Sequence, residues 1–384
     1  MRQPPGFVVK GSEDKVCRLK RSLYGLKQSA RSWNNKLHQV LVGDGFKRSE
    51  ADPCLYSKQV NGKRCYILVY VDDLIIASEE EKLITLAGRI LERNFEIVSL
   101  GEVRNYVGIE VERDNAGDFH ISQRKYITDI VKSAGLEDAK SSPIPIDVGY
   151  FKPNTEDKPL PDNTEYQKLV GKLLFVAVNS RPDIAAPVSI LSRKLSNPTQ
   201  RDWNELRRIV RYLKGSINLK LRLSNRGDDS GLVGYADADW AECRNDRKSN
   251  SGFLFKFCGG TISWACRKQT CVSLSTAEAE FVALSEASQE AIWIQRLLHD
   301  LDEDVQNIQL NEDNQSCLKM LHTEKFSNRT KHIDTKYNFV KDLYQSGVIQ
   351  FMYCPSEIMA ADLLTKPVAR VRVQQLRRLN GLED

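Results

Sequence analysis

Acidic residues in the C-terminal part of the chain have the types and spacing needed to bind divalent metal ions. Four of them fall on four separate predicted elements: Asp237, Glu280, Asp313 and Asp362. If these carboxylates converge, they could hold two divalent ions about 3.5–4 Å apart, an arrangement that cleaves phosphodiester bonds. Mg²⁺ prefers such hard oxygen ligands, and Mn²⁺ is the alternative. The residue types therefore predict metal-dependent phosphodiester hydrolysis, provided that the fold brings the four side chains together.

Each of these acids also has an ordinary explanation. Asp237 could begin a turn, Asp313 could cap a helix N-terminus, and Asp362 could be a solvated surface residue. Asp239 follows Asp237 by two residues and would share its face if the strand continues. We favour Asp237, because the alternating apolar residues before it place it on the strand itself.

Helix geometry separates two neighbouring glutamates. Ser275 and Glu278 have the spacing of a capping box, which gives Glu278 a structural task at a helix N-terminus. Glu280 instead shares a stripe with apolar residues on the face that must pack against the sheet. A buried carboxylate requires a cation or another strong partner, so Glu280 is either salt-bridged or a metal ligand.

The order of predicted elements around these acids indicates a mixed α/β domain. The pattern predicts a strand, a hairpin through Gly259-Gly260, a long helix, a strand, two helices, a strand and a last helix around Asp362. The ranges before that last helix are 232–237, 252–258, 261–265, 276–299, 308–311, a short helix from Asn314, 333–344 and 348–353. If the strands at 232–237 and 308–311 are parallel neighbours, Asp237 and Asp313 both lie at the carboxyl edge of the sheet, where α/β folds place their sites.

The N-terminal part has an α+β pattern with its own pair of acids. A helix is predicted at 30–42, and Asp72 and Asp73 lie at the turn between two apolar strands at 66–71 and 74–78. A plain acidic hairpin turn is the alternative to a metal site there. Further along, a turn cluster at 114–118 precedes a predicted helix at 124–134, and five prolines mark an irregular loop.

A basic amphipathic helix is predicted at 202–214, before a polar boundary at 224–230. Its cations lie off the apolar stripe: Arg207, Arg208, Arg211 and Lys214. A solvated surface helix is the ordinary interpretation, and contact with a nucleic-acid duplex is the alternative.

Composition bounds the class of protein. A chain of 384 residues is too long for one ordinary hydrophobic core, which predicts two or three domains. Its content of 41% hydrophobic and 28% charged residues is typical of globular proteins. A net charge of +5 is only weak support for a polyanionic partner. The nine cysteines form no disulfide or zinc-binding pattern, which predicts reduced thiols inside a cell, and no apolar segment predicts a membrane span or a signal peptide.

Five strings in the C-terminal part together resemble the ribonuclease H domain of the Pol polyproteins of copia-class LTR retrotransposons. They are GYADADWA at 234–241, STAEAEF at 275–281, DNQS at 313–316, RTKHID at 329–334 and ADLLTKP at 361–367. The resemblance implies that Asp237, Glu280, Asp313 and Asp362 are the catalytic, metal-binding acids. It also implies an RNase H-like mixed five-stranded sheet with flanking helices and a two-metal site that uses Mg²⁺ or Mn²⁺.

The N-terminal part resembles the reverse transcriptase of the same family. SLYGLKQ at 22–28 is similar to the segment near the nucleotide and template, although Ala30 stands where the family usually has proline. YVDD at 70–73 resembles the polymerase metal-binding motif and implies Asp72 and Asp73 as its catalytic, metal-binding acids. Segments at 166–174, 180–184 and 211–215 resemble the thumb and connection. In this light Lys27, Gln28 and the four cations of the basic helix become candidates for binding nucleic acid.

The predicted architecture is an α/β and α+β multidomain chain. Its parts are a truncated reverse-transcriptase palm at 1–115, a thumb/connection-like region at 116–229 with a Pro-rich loop at 141–162, ribonuclease H at 230–370 and a tail at 371–384. The family's polymerase has a further catalytic aspartate on a strand upstream of the segment resembling residues 2–7. We therefore expect this chain not to polymerise DNA by itself.

The expected function is endonucleolytic cleavage of RNA in RNA/DNA hybrids, with RNA template and DNA as further partners and no membrane partner. The alternative is a non-catalytic nucleic-acid-binding remnant of a decayed element, and a third interpretation is an unstable fragment. By family resemblance, the location is intracellular, in cytoplasmic virus-like particles, the nucleus or both.

Overall fold

The computed structural model describes residues 1–153, 157–224, 231–243, 246–322 and 334–384. The chain divides into two compact units, Met1–Glu102 and Val103–Asp384. In the predicted boundary segment, residues 225–230 lie outside the described residues, as does the RTKHID string apart from Asp334. Among the described residues, no helix is both long enough and apolar enough to span a membrane.

The first unit is an α+β fold with one antiparallel sheet in the order β1-β2-β3-β4. Its elements are α1 (Ser29–Gly43), β1 (Lys47–Arg48), β2 (Leu55–Val60), β3 (Lys63–Tyr70), β4 (Asp73–Ser78) and α2 (Glu81–Asn94). The apolar faces of the helices and strands meet in one core that includes Leu37, Ile67 and Leu91. The predicted helix at 30–42 and strands at 66–71 and 74–78 are present, with bounds that differ by at most three residues.

The second unit contains two further five-stranded sheets. Its strands are β5 (Asn105–Tyr106), β6 (Ile109–Arg113), β7 (Phe119–Ser122), β8 (Lys220–Leu223), β9 (Leu232–Ala238), β10 (Asn250–Phe257), β11 (Gly260–Lys268), β12 (Ile308–Glu312), β13 (Ile349–Tyr353) and β14 (Leu382–Glu383). Its α-helices are α3 (Arg124–Ser133), α4 (Thr164–Asn179), α5 (Ala185–Ser192), α6 (Gln200–Lys214), α7 (Thr276–Asp300), α8 (Gln315–Leu321), α9 (Asp334–Gln345) and α10 (Arg370–Leu379). Short 3₁₀ helices lie at Pro182–Ile184, Ser356–Ile358 and Ala360–Leu364.

The first sheet of this unit is antiparallel, in the order β14-β8-β7-β6-β5. The last strand of the chain, β14, pairs with β8, although the whole second sheet lies between them in sequence. The apolar stripes of α3, α4 and α6 share one core with residues of α10. A tail is predicted from the sequence at 371–384, whereas the structure buries Val373 and Leu376 of α10 in this core.

A buried ion pair lies in the helical region. Arg181 and Asp183 are 1% and 0% exposed, and the guanidinium donates two hydrogen bonds of 2.7 and 2.8 Å to the carboxylate. Arg181 also donates to the backbone oxygen of Ser216, and the Tyr212 hydroxyl donates to Asp183. Because both charges are removed from water, each depends on the other for its stability.

The second sheet has the order β11-β10-β9-β12-β13. β9 pairs antiparallel with β10 and parallel with β12, and β12 pairs parallel with β13. Helix α7 packs across β9 and β10, and its apolar stripe forms a core with the inner faces of the strands. This is the mixed five-stranded, RNase H-like arrangement that the sequence predicts, and the predicted hairpin is present with its turn at Cys258-Gly259.

Replacement of Asp183 by asparagine is expected to destabilise the second unit by about 3 kcal/mol, because it leaves the guanidinium of Arg181 buried without a counter-ion. Urea unfolding followed by circular dichroism measures the change. Lys168→Met is the control, since Lys168 and Glu165 form an exposed pair on α4 that should not affect the midpoint. Equal midpoints for Asp183→Asn and the wild-type protein would contradict the prediction.

Candidate functional site

Strand register brings Asp237 and Asp313 to the same edge of the second sheet. β9 and β12 are parallel neighbours, and Tyr235 lies opposite Asn311. Two residues further along the chain, Asp237 lies at the carboxyl end of β9 and Asp313 directly follows the carboxyl end of β12. The condition that the sequence left open, parallel pairing of these two strands, is therefore met.

Glu280 reaches this edge from the first turns of α7. The helix packs on β9 and β10 with Leu284, Ala287 and Ala291 buried, and Glu280 lies on the same buried face with 7% exposure. One oxygen from each of Asp237, Glu280 and Asp313 lies within 4.8 Å of the others. In the described part of the chain, this is the one group of three or more Asp, Glu, His or Cys side chains close enough to hold a metal ion.

Asp362 approaches the same region from the 3₁₀ helix Ala360–Leu364. The helix can lie on β10 because Gly252, the partner of Asp237 in the sheet, has no side chain. A Cβ at Gly252 would lie 2.7 Å from the Thr365 side chain and 2.8 Å from Leu364. The Thr365 hydroxyl donates a hydrogen bond to Asp237. Glycine at this position thus permits the close approach of Asp362 to the edge of the sheet.

Two cations contact Asp362. The Lys366 ammonium lies 2.7 Å from one of its oxygens and 3.6 Å from an oxygen of Asp237. The Arg372 guanidinium, from α10, lies 2.6 Å from the other oxygen of Asp362. Burial lowers the pKa of Lys366, but Asp237 and Asp362 outweigh it and raise this pKa above its ordinary value. Asp362 is therefore neutralised by residues of the chain itself.

Glu312 adds a fifth carboxyl group beside the site. It is 0% exposed, and one of its oxygens accepts a hydrogen bond from the backbone nitrogen of Asn314 at 3.0 Å. Its other oxygen is buried without a hydrogen-bond donor among the described residues, as is one oxygen of Glu280. Burial and then the neighbouring Glu312 raise the pKa of Glu280 well above its usual range. Burial also raises the pKa of Asp237, to about 6.

These side chains fit a divalent cation. Buried carboxylate oxygens without donors are costly, and a cation with a preference for oxygen ligands would satisfy them. Asp237, Glu280 and Asp313 supply oxygens at suitable separations. Asp362 lies next to them, because the Lys366 ammonium contacts both Asp362 and Asp237. The site is thus chemically suited to Mg²⁺ or Mn²⁺, which would be held by acids from separate elements of the fold.

The two competing acids from the sequence analysis have other contacts. Asp239 is buried, and both of its oxygens accept hydrogen bonds from Asn250. Glu278 is also buried, and its carboxylate accepts from the backbone nitrogen of Leu274, while Ser275 accepts from the Glu278 nitrogen at 3.2 Å. The geometry groups Asp237 and Glu280, rather than these neighbours, with Asp313.

Asp72 and Asp73 lie in the first unit, at the exposed turn between β3 and β4. Val71 in this turn has a positive φ of 53°, which is rare for a β-branched residue. Within the described residues, no cluster of three metal-binding side chains includes Asp72 or Asp73. Their role as polymerase acids stays a prediction.

The predicted nucleic-acid-binding residues occupy two places. Lys27 and Gln28 are exposed just before α1. On α6, Arg208 contacts Glu205 at 2.9 Å, and Lys214 donates to the backbone oxygen of Ala139 at 2.8 Å. Arg207, on the same helix, donates to a backbone oxygen at 3.2 Å, and Arg211 is half-buried. Intramolecular contacts thus account for three of the four helix cations, and their binding to nucleic acid stays a prediction.

Three residues that contact the site have no role predicted from the sequence: Glu312, Lys366 and Arg372. Glu312 had a local signal, because the period of two along β12 places it on the buried face of Ile308 and Leu310. Lys366 had a weaker one, the four-residue spacing from Asp362. Arg372 had none, because its contact depends on how α10 packs against the neighbouring core.

Mg²⁺ is expected to raise the thermal midpoint of the EDTA-treated protein, because a bound cation stabilises the folded state by mass action and relieves repulsion between the buried acids. Asp237→Asn should remove this increase, whereas Asp239→Asn, which changes a buried acid two residues away, should retain it. Differential scanning fluorimetry with and without millimolar MgCl₂ makes the comparison. Loss of the increase in Asp239→Asn alone would show that the wrong aspartate was chosen.

Comparisons with known proteins find relatives along the whole chain. A family profile described as reverse transcriptase (RNA-dependent DNA polymerase) matches residues 1–148. The retrovirus-related Pol polyprotein from transposon TNT 1-94 of Nicotiana tabacum is 34% identical over 100% of this chain and 29% of that protein. A putative transposon Ty5-1 protein of Saccharomyces cerevisiae is 31% identical over 76% of this chain and 94% of that protein. The chain thus spans less than a third of the tobacco polyprotein and nearly all of the yeast protein.

Solved structures that resemble parts of this chain have low TM-scores. LC11-RNase H1, isolated from compost, is 15% identical over 36% of this chain and 94% of that chain, with a TM-score of 0.29. A foamy viral protease-reverse transcriptase in complex with double-stranded DNA is 16% identical over 90% of this chain and 54% of that chain, with a TM-score of 0.22. The fold assignment therefore rests on strand order and pairing. On the sequence relatives, the chain belongs to the Pol polyproteins of copia-class LTR retrotransposons, with a reverse-transcriptase region at residues 1–148.

Proposed function

We propose that the second unit cleaves the RNA strand of RNA/DNA hybrids in a reaction that requires a divalent metal ion. The observation that carries the proposal is the convergence of Asp237, Glu280 and Asp313 at the carboxyl edge of an RNase H-like sheet. Membership of the retrotransposon Pol family supports the choice of substrate, since copying RNA into DNA produces such hybrids.

Some side chains of the site would bind the metal ion, and others orient the carboxylates that bind it. Asp237, Glu280, Asp313 and Asp362 would hold Mg²⁺ or Mn²⁺. When bound, such ions supply an activated water and stabilise the departing 3′ oxygen of the phosphodiester. Thr365 fixes the orientation of Asp237 through its hydroxyl, and Ser356 does the same for Asp313 by a 2.6 Å hydrogen bond. Held in this way, the carboxylates need little rearrangement on binding a cation.

Selectivity for a hybrid would come from its shape and from contacts with the 2′-hydroxyl groups of the RNA strand. Endonucleolytic cleavage requires a site open to the middle of a duplex. The partly exposed positions of Asp313 and Lys366 at the sheet edge are consistent with that requirement.

The chain also contains a reverse-transcriptase region, and the Asp72-Asp73 turn resembles a polymerase metal-binding motif. Because the described residues group no further acid with this turn, we place hybrid cleavage first among the activities of this chain. Non-catalytic binding to nucleic acid is the competing proposal. It predicts hybrid binding that weakens with salt and no cleavage.

Cleavage of an end-labelled RNA/DNA hybrid in Mg²⁺ tests the proposed function. Asp237→Asn and Glu280→Gln should each reduce the cleavage rate by more than about a hundredfold, because they remove carboxylates that would bind the metal ion directly. The expected products are RNA fragments cut internally, while the DNA strand stays intact. Gel electrophoresis under denaturing conditions measures both.

Two matched variants serve as controls for this assay. Glu278→Gln changes the neighbouring buried glutamate of α7, and the double variant Asp72→Asn, Asp73→Asn changes the acids of the first unit. Both should cleave within a few-fold of the wild-type rate. No cleavage by the folded wild-type protein, together with salt-dependent hybrid binding, would favour the competing proposal.

A further inference from the structure

Among the described residues, the cations that form ion pairs with acids of the candidate metal centre lie on one side of it. Lys366 and Arg372 both contact Asp362, at 2.7 and 2.6 Å. On the opposite side, Glu280 and Glu312 each keep one buried oxygen that accepts no hydrogen bond from the described residues. The five acids are thus divided into a neutralised group around Asp362 and an unneutralised group around Glu280.

Asp237 belongs to both groups. One of its oxygens lies within 4.8 Å of oxygens of Glu280 and Asp313, and its Oδ2 atom lies 3.6 Å from the Lys366 ammonium. The ammonium therefore lies between Asp237 and Asp362, where a cation shared by these two acids would also lie. The backbone holds Lys366 near this position, because Lys366 follows Asp362 by four residues. It also comes directly after Thr365, whose hydroxyl donates a hydrogen bond to Asp237.

We propose that Lys366 is a tethered cation that occupies the Asp237–Asp362 side of the site in the absence of metal, and that a divalent ion must displace its ammonium to bind there. The inference rests on the proposed function and deepens it, since it assigns different affinities to the two sides. The Glu280 side binds a divalent ion first. The Asp362 side binds one more weakly, because that ion competes with a charge that is already present.

The side chain of Lys366 can move, which the proposal requires. It is 33% exposed, whereas the side chains of Asp237 and Asp362 are 2% and 10% exposed. A long, flexible lysine can turn its ammonium toward solvent without disturbing the core. Arg372 stays bound to Asp362 in this scheme, because its guanidinium also donates to the backbone oxygens of Ser356 and Glu357.

Mn²⁺ titration of the full chain without nucleic acid tests this inference, with free Mn²⁺ followed by electron paramagnetic resonance. Lys366→Met should tighten the weaker binding event roughly three- to tenfold, since a partly exposed charge competing with the ion is removed. Lys366→Arg, which keeps the charge, should bind Mn²⁺ as the wild-type protein does. Lys336→Met is the matched control. The Lys336 ammonium lies 3.6 Å from a carboxylate oxygen of Glu286, which does not belong to the metal-binding cluster.

Thermal unfolding separates the proposed competition from a merely structural role. Lys366→Met should lower the midpoint in EDTA and enlarge the increase caused by Mn²⁺, whereas a structural role would lower the midpoint in both conditions alike. Equal or weaker Mn²⁺ binding by Lys366→Met would overturn the inference while leaving the metal centre in place. Absence of Mn²⁺ binding by wild-type and variant proteins would overturn the metal centre and the inference together.

Discussion

Electrostatic repulsion among buried carboxyl groups is the constraint on which the arrangement of the second unit depends. Asp237, Glu280, Glu312, Asp313 and Asp362 meet at one edge of a sheet, and burial raises the pKa of several of them. A fold does not accumulate such charges without compensation. The strands that carry the acids, the glycine that admits the 3₁₀ helix and the cations that contact Asp362 all serve to hold like charges together in one place.

Compensation for this repulsion comes from distant parts of the chain. Lys366 and Thr365 follow Asp362 directly, but Arg372 belongs to a helix whose apolar residues are buried with α3, α4 and α6. The position of one acid therefore depends on the packing of a different core. Since a carboxylate must be held within a fraction of an ångström to bind a metal ion well, a substitution in that core can change the candidate metal centre without touching it.

The helices and strands around the second sheet could be predicted from the sequence because their signals are local. Strand alternation before Asp237, the apolar stripe of Glu280 and the Gly259 turn each depend on neighbouring residues only. The long helix and the order of the elements along the chain followed from them. The convergence of the acidic side chains could not be derived in this way, because it requires the parallel pairing of β9 with β12. The family resemblance implied that convergence. The contacts of Arg372 and the burial of α10 depend on tertiary packing, for which the sequence offers only three apolar residues at helical spacing, Val373, Leu376 and Leu379.

The pairing of β14 with β8 makes the second sheet an insertion within the fold that precedes it. The Arg222 nitrogen donates to the backbone oxygen of Gly381 at 3.0 Å, so the chain leaves the first sheet and returns to it at almost the same point. The host fold is therefore interrupted in sequence, whereas the inserted sheet is one continuous segment that joins the host at two points. Exchange of this nuclease region between related elements, by recombination or by engineering, would therefore have to transfer two separate junctions at once, or leave α10 and β14 behind with the host fold.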